Sequence, residues 1–181
     1  MLDAVLKRTI DPPLDAAAKR LVAFNIKADA IAVAAFVLGL AAIAVIAWGY
    51  YLPAVVLLAL NRLLDGLDGA MARATGAGPR AVVAATLGTV VLTGIPLGFA
   101  LADPSRAIAA AFLICALAGA SAARISTAVR DGVEFIEDAV AFIAFAFACL
   151  LPDRLSLVAY VLGVLAFGSA GARLAAAARP T

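Results

Sequence analysis

From Ile31 to Leu60 the chain has no charged residue. One break interrupts this run, Gly49-Tyr50-Tyr51-Leu52-Pro53, where glycine and proline favour a turn and paired tyrosines suit a membrane–water boundary. About 20 apolar residues make one membrane-crossing helix. The run therefore predicts two helices, at about 31–48 and 53–73. Further apolar stretches predict helices over about 80–102, 106–124, 133–151 and 154–175. Asp103-Pro104 and Pro152-Asp153 mark tight turns between them.

The first 28 residues are of mixed character and form a separate N-terminal segment, ahead of a membrane domain over 29–181. Asp11-Pro12-Pro13 carries a helix-start signal, a capping Asp followed by Pro at the first helical position. Beyond it, Leu14, Ala18, Leu21 and Val22 share one helical face, with Lys19 and Arg20 beside it. This pattern predicts an amphipathic helix lying at the membrane interface. It does not read as a signal peptide, because the apolar run comes late and no small-residue cleavage site follows. The fold class expected is all-α, a membrane bundle of six transmembrane helices with an N-terminal interfacial helix.

Composition agrees with this pattern. Hydrophobic residues make up 66% of the chain, charged residues only 14%, and mean hydropathy is +1.09. A soluble domain runs near 45–50% apolar and about 25% charged, so a bilayer is the solvent that suits this chain. The basic residues fix an expected orientation. Six spans put both termini and the second and fourth connections on one side. Twelve of the 14 Lys and Arg residues fall there, and only Arg106 and Arg154 fall on the other. Basic residues favour the cytoplasmic side, so both termini are expected in the cytoplasm, in a bacterial inner membrane.

Composition also limits the chemistry. The chain has no His, and its two Cys, Cys115 and Cys149, lie inside apolar runs as small core residues. A metal would have to be held by carboxylates, which favours a hard cation such as Mg²⁺ or Mn²⁺. A net charge of +2 is too small to point to nucleic acid.

The informative motif is Asp65-Gly66-Leu67-Asp68-Gly69-Ala70-Met71-Ala72-Arg73. Asp65 and Asp68 are three apart on a helix, so their carboxylates point the same way. Gly69 lets a ligand approach the backbone, Ala72 keeps the surface small, and Arg73 offers a fixed cationic fork suited to phosphate. Two acids, a gap and an Arg at a membrane surface suit a divalent ion bridging to a diphosphate. Acids at a helix end are also read as merely solvated, and Asp-Gly as ordinary helix termination. The membrane setting weighs against those readings, because ionisable groups near spans are costly.

The stretch Asp65-x-x-Asp68-Gly69-x-x-Ala72-Arg73, with Asn61-Arg62-Leu63-Leu64 leading into it, resembles the first half of the signature of the CDP-alcohol phosphatidyltransferases. The six-span layout, the surface helix and the segment Gly94-Ile95-Pro96-Leu97-Gly98-Phe99-Ala100 are similar as well. The resemblance implies that a CDP-linked lipid, usually CDP-diacylglycerol, binds at the cytoplasmic face and that its phosphatidyl group passes to an alcohol with release of CMP. It implies Asp65 and Asp68 as ligands of Mg²⁺ or Mn²⁺, and Gly69, Ala72 and Arg73 as nucleotide-side residues.

The second half of the signature is missing. It should bring a Gly and two further Asp, the third a metal ligand and the fourth the base. Counting on from Arg73 puts the Gly at Val82, the third Asp at Thr86 and the fourth at Val90, and 81–102 contains no acid. Glu134, Glu137 and Asp138, at the start of the fifth predicted span, are candidates to compensate, or else acids that favour a helix N-terminus. Three readings follow. The chain is a phosphatidyltransferase with an altered, weakened site, a non-catalytic CDP-lipid-binding relative, or a scaffold pairing with itself or with an active relative.

Overall fold

The structure, a computed structural model, describes residues 2–75, 80–126 and 138–178, and of residues 2–12 the backbone alone. Among the described residues it is all-helical. The helices are α1 (Leu2–Ala23), α2 (Ala28–Ala47), α3 (Tyr51–Thr75), α4 (Arg80–Ala102), α5 (Ala107–Ser126), α6 (Asp138–Leu150) and α7 (Leu155–Ala177). Short 3-10 turns, Pro104–Arg106 and Pro152–Arg154, lead into α5 and α7 at the two predicted turn sites. Three described stretches are long and apolar enough to cross a membrane, Ala28–Ala47, Pro104–Ala123 and Pro152–Ala177. Thr86–Ala102 and Val140–Leu150 are apolar but shorter.

One boundary differs from the sequence expectation. The helix expected to start at Asp11-Pro12-Pro13 runs from Leu2 straight through that motif. Pro12 and Pro13 have a helix-compatible φ, but each removes a backbone donor and crowds the preceding turn, so this stretch of α1 carries a cost. The turn after α1 uses Asn25, at φ 59, and the turn after α2 uses Gly49, at φ 81. Both residue types tolerate this left-handed region.

Small residues let helix backbones approach closely where they cross. α2 packs on α3 and α4, α4 on α5, α5 on α7, and α6 on α3. The core runs through Ile46, Leu58, Val91, Ile95, Phe99, Leu113 and Phe145. At the α2–α4 crossing a Cβ added at Gly98 would lie 2.8 Å from the Ile43 carbonyl oxygen, and only hydrogen fits there. α1 has its own small core. Ala18 is fully buried with Ala70 and Met71, and Leu14, Leu21 and Leu67 pack around them. The apolar stripe of α1 thus lies against the end of α3 that carries the acidic motif.

Candidate functional site

The geometry starts from Asn61. Its Nδ2 donates to the Ala35 carbonyl oxygen at 2.6 Å, inside the core. This bond fixes the register of α3 on α2, which run antiparallel across a short turn. Seven residues are two helical turns. Asp68, seven beyond Asn61, therefore lies across from residue 28, seven before Ala35, at the first turn of α2. Asp29 stands in that turn, and both Asp29 and Asp65 act electrostatically on Asp68.

Asp65 and Asp68 are on neighbouring turns but differ in surroundings. The Asp65 side chain is 37% exposed, and Arg62 Nη1 donates to its Oδ2 at 2.6 Å. The same guanidinium lies 5.5 Å from the ring centroid of Phe142 on α6. Asp68 is only 8% exposed. No described hydrogen bond or ion pair reaches it. Among the described residues no fully enclosed side-chain oxygen lacks a partner, so the Asp68 oxygens open onto reachable space. With Asp65 and Asp29 nearby, a cation is the ligand those oxygens favour.

On the α4 side Gly88 comes close. A Cβ added there would sit 3.9 Å from Asp65 Oδ1. Thr86 and Val90 are both exposed, on a stripe with Val83, Leu97 and Leu101. Each lies two residues from Gly88, about 200° around the helix. Among the described α4 positions it is 88 that approaches Asp65, and neither counted position shares its face.

Gly69 and Ala72 are half-buried on α3 beside the acids. Arg73 continues α3, with its side chain outside the described residues. Glu134 and Glu137 lie outside the described residues, and Asp138 opens α6 with its side chain likewise outside them. Sequence reading missed three participants: Asp29, Arg62 as the partner of Asp65, and Gly88. Arg62 could have been found, since i and i+3 meet on a helix. Asp29 could not have been found, since its nearness to Asp68 depends on the α2–α3 register.

Hard carboxylate oxygens suit Mg²⁺ or Mn²⁺. Among the described residues no group of three such side chains converges. Asp65 and Asp68 are the residues that would hold an ion, and the rest of its shell would be left to water and to a ligand's own oxygens. No protein-family model matches the chain, and no curated protein matches it in sequence.

Proposed function

We propose that this chain is a membrane protein of the CDP-alcohol phosphatidyltransferase type that binds a CDP-linked lipid, CDP-diacylglycerol in the first instance, with transfer activity lost or greatly reduced. The reading includes six spans with both termini cytoplasmic, α1 at the interface, and placement in a bacterial inner membrane. One observation carries it: a nine-tenths-buried Asp68, without a hydrogen-bond or ion-pair partner among the described residues, beside an Asp65 that a glycine of α4 approaches.

Phosphatidyl transfer requires the acceptor hydroxyl oxygen to attack the lipid-side phosphorus, the bond to CMP to break, and the hydroxyl proton to be removed. A divalent ion on the acids would supply charge to hold the diphosphate. Asp65 and Asp68 can bind and orient. Proton removal has no described residue on the α4 side, where Gly88 has no side chain. A positioned base contributes about 10²–10⁴ in rate, and transfer should fall by at least that factor relative to a site with all four acids.

The assay is CMP release by purified protein with CDP-diacylglycerol, Mn²⁺ or Mg²⁺ and a panel of alcohols. The expected result is Mn²⁺-dependent binding of CDP-diacylglycerol with no CMP release above background. Rapid turnover that disappears in Asp68→Ala would reverse the reading to an active transferase. Topology has its own test. A cysteine at residue 103, in a chain lacking Cys115 and Cys149, should be labelled in intact cells by an impermeant thiol reagent. Labelling only after permeabilisation would refute cytoplasmic termini.

A further inference from the structure

We propose that Arg62 is a built-in cation of the acid site, supplying at Asp65 the positive charge that a divalent ion would otherwise bring, so that such an ion is held on Asp68 and not on Asp65. The inference rests on the proposed divalent-ion site and gives a role there to a residue that had none.

The two motif acids look equivalent in sequence, and the structure makes them unequal. Asp65 receives a charge-assisted hydrogen bond of 2.6 Å from Arg62. That guanidinium is no freely swinging surface group, since Phe142 of α6 lies under it at 5.5 Å and holds it by a cation–π contact. An arginine stays charged at every accessible pH. A divalent ion on Asp65 would have to break the Arg62 bond and sit beside a fixed positive charge. Asp68 faces the opposite situation. It is nine-tenths buried, has no described donor, and feels two further carboxylates, Asp65 and Asp29. Among the described residues, positive charge at this end is therefore supplied to one acid and not to the other. Gly88, whose added Cβ would meet Asp65 at 3.9 Å, leaves the α4 side of the Arg62–Asp65 pair without a competing acid.

The test is calorimetric titration of Mn²⁺ into the full-length protein in detergent. Variants are Asp65→Asn, Asp68→Asn, Arg62→Gln, Arg62→Lys, and Arg62→Gln combined with Asp65→Asn. Asp68→Asn should weaken binding at least about tenfold, while Asp65→Asn changes it less than about threefold. Arg62→Gln should tighten binding at least about fivefold, and the gain should vanish in the double variant. Arg62→Lys keeps the charge and should stay within about twofold of the natural protein. Equal losses in Asp65→Asn and Asp68→Asn would overturn the proposal, as would no gain in Arg62→Gln or an equal gain in Arg62→Lys. In those cases Mn²⁺ still binds, and the divalent-ion site stands without this inference. Absence of binding in the natural protein and in every variant would remove both together.

Discussion

At the scale of single residues, Gly88 decides how the missing half of the motif is understood. Counting along the signature that the motif resembles puts its further acids at Thr86 and Val90, whereas the described α4 position that approaches Asp65 is 88. One helical step is about 100°, so an offset of two residues carries a side chain to the opposite face. A count cannot detect that offset, because it takes the connection between α3 and α4 to have the family's length. This yields a prediction. In a chain carrying Arg62→Gln, which frees Asp65, Gly88→Asp should raise Mn²⁺ affinity about tenfold by adding a hard charged ligand near Asp65. Thr86→Asp and Val90→Asp, on the exposed stripe, should each change it less than about twofold. Titration of the three variants decides, and a gain confined to Thr86→Asp would restore the counted register. The acid pair itself was legible, because i and i+3 spacing is a property of one helix. Asp29 and Gly88 were not, because their roles depend on how helices lie against each other.

At the scale of elements, the hydrophobic pattern anticipated most helices closely. The helix expected at 80–102 is α4 at Arg80–Ala102, and the one expected at 31–48 is α2 at Ala28–Ala47. Charge-free runs bounded by Gly, Pro and Asp leave little freedom in such assignments. The N-terminus misled because Pro-Pro looks like a start signal, and the rules for starting a helix and for passing through one share the same φ. What no pattern reveals is which glycine permits a crossing. Gly94 and Gly98 both face Ile43, but with different consequences. A Cβ at Gly98 meets the backbone oxygen of Ile43 at 2.8 Å, which cannot move away without shifting α2. A Cβ at Gly94 meets Ile43 Cδ1 at 2.6 Å, the flexible end of a side chain. Gly98→Ala should therefore cost about 1–3 kcal/mol through overpacking. Gly94→Ala should be close to neutral, since better helix propensity, about 0.5–1 kcal/mol, offsets a rotamer change. Denaturation in mixed detergent compares the two, and equal losses would show that the crossing is looser than its geometry.

At the scale of the whole molecule, polar groups gather at two ends of the bundle. One end holds Asp29, Arg62, Asp65 and Asp68. At the other, Arg106 joins three segments. Its Nε lies 3.2 Å from Asp103 Oδ2, its Nη2 lies 3.4 Å from Asp153 Oδ1, and its Nη1 donates to the Tyr51 hydroxyl at 3.1 Å. Tyr51 in turn stacks on Phe99 of α4, with centroids 5.6 Å apart. The start of α3 and the turns before α5 and α7 are thereby tied to one guanidinium, with no acid-site residue involved. Arg106→Ala should lower the thermal midpoint while leaving Mn²⁺ binding at the other end intact. The same cluster sets a pH dependence. Hydrogen bonds from the Ser105 hydroxyl and backbone N–H, with Arg106 adding to them, hold the Asp103 carboxyl below the usual carboxylate range. A group held low in the folded chain stabilises it above the ordinary carboxylate range, and that contribution is lost as pH falls through the folded value. Asp103→Asn should therefore melt below the natural protein at neutral pH. The gap should narrow as pH falls below the ordinary carboxylate range and vanish only once the natural carboxyl is itself protonated. Melting curves at several pH values are the measurement. A gap unchanged from neutral to acid pH would mean that the side chain's shape, and not its charge, holds the turn before α5.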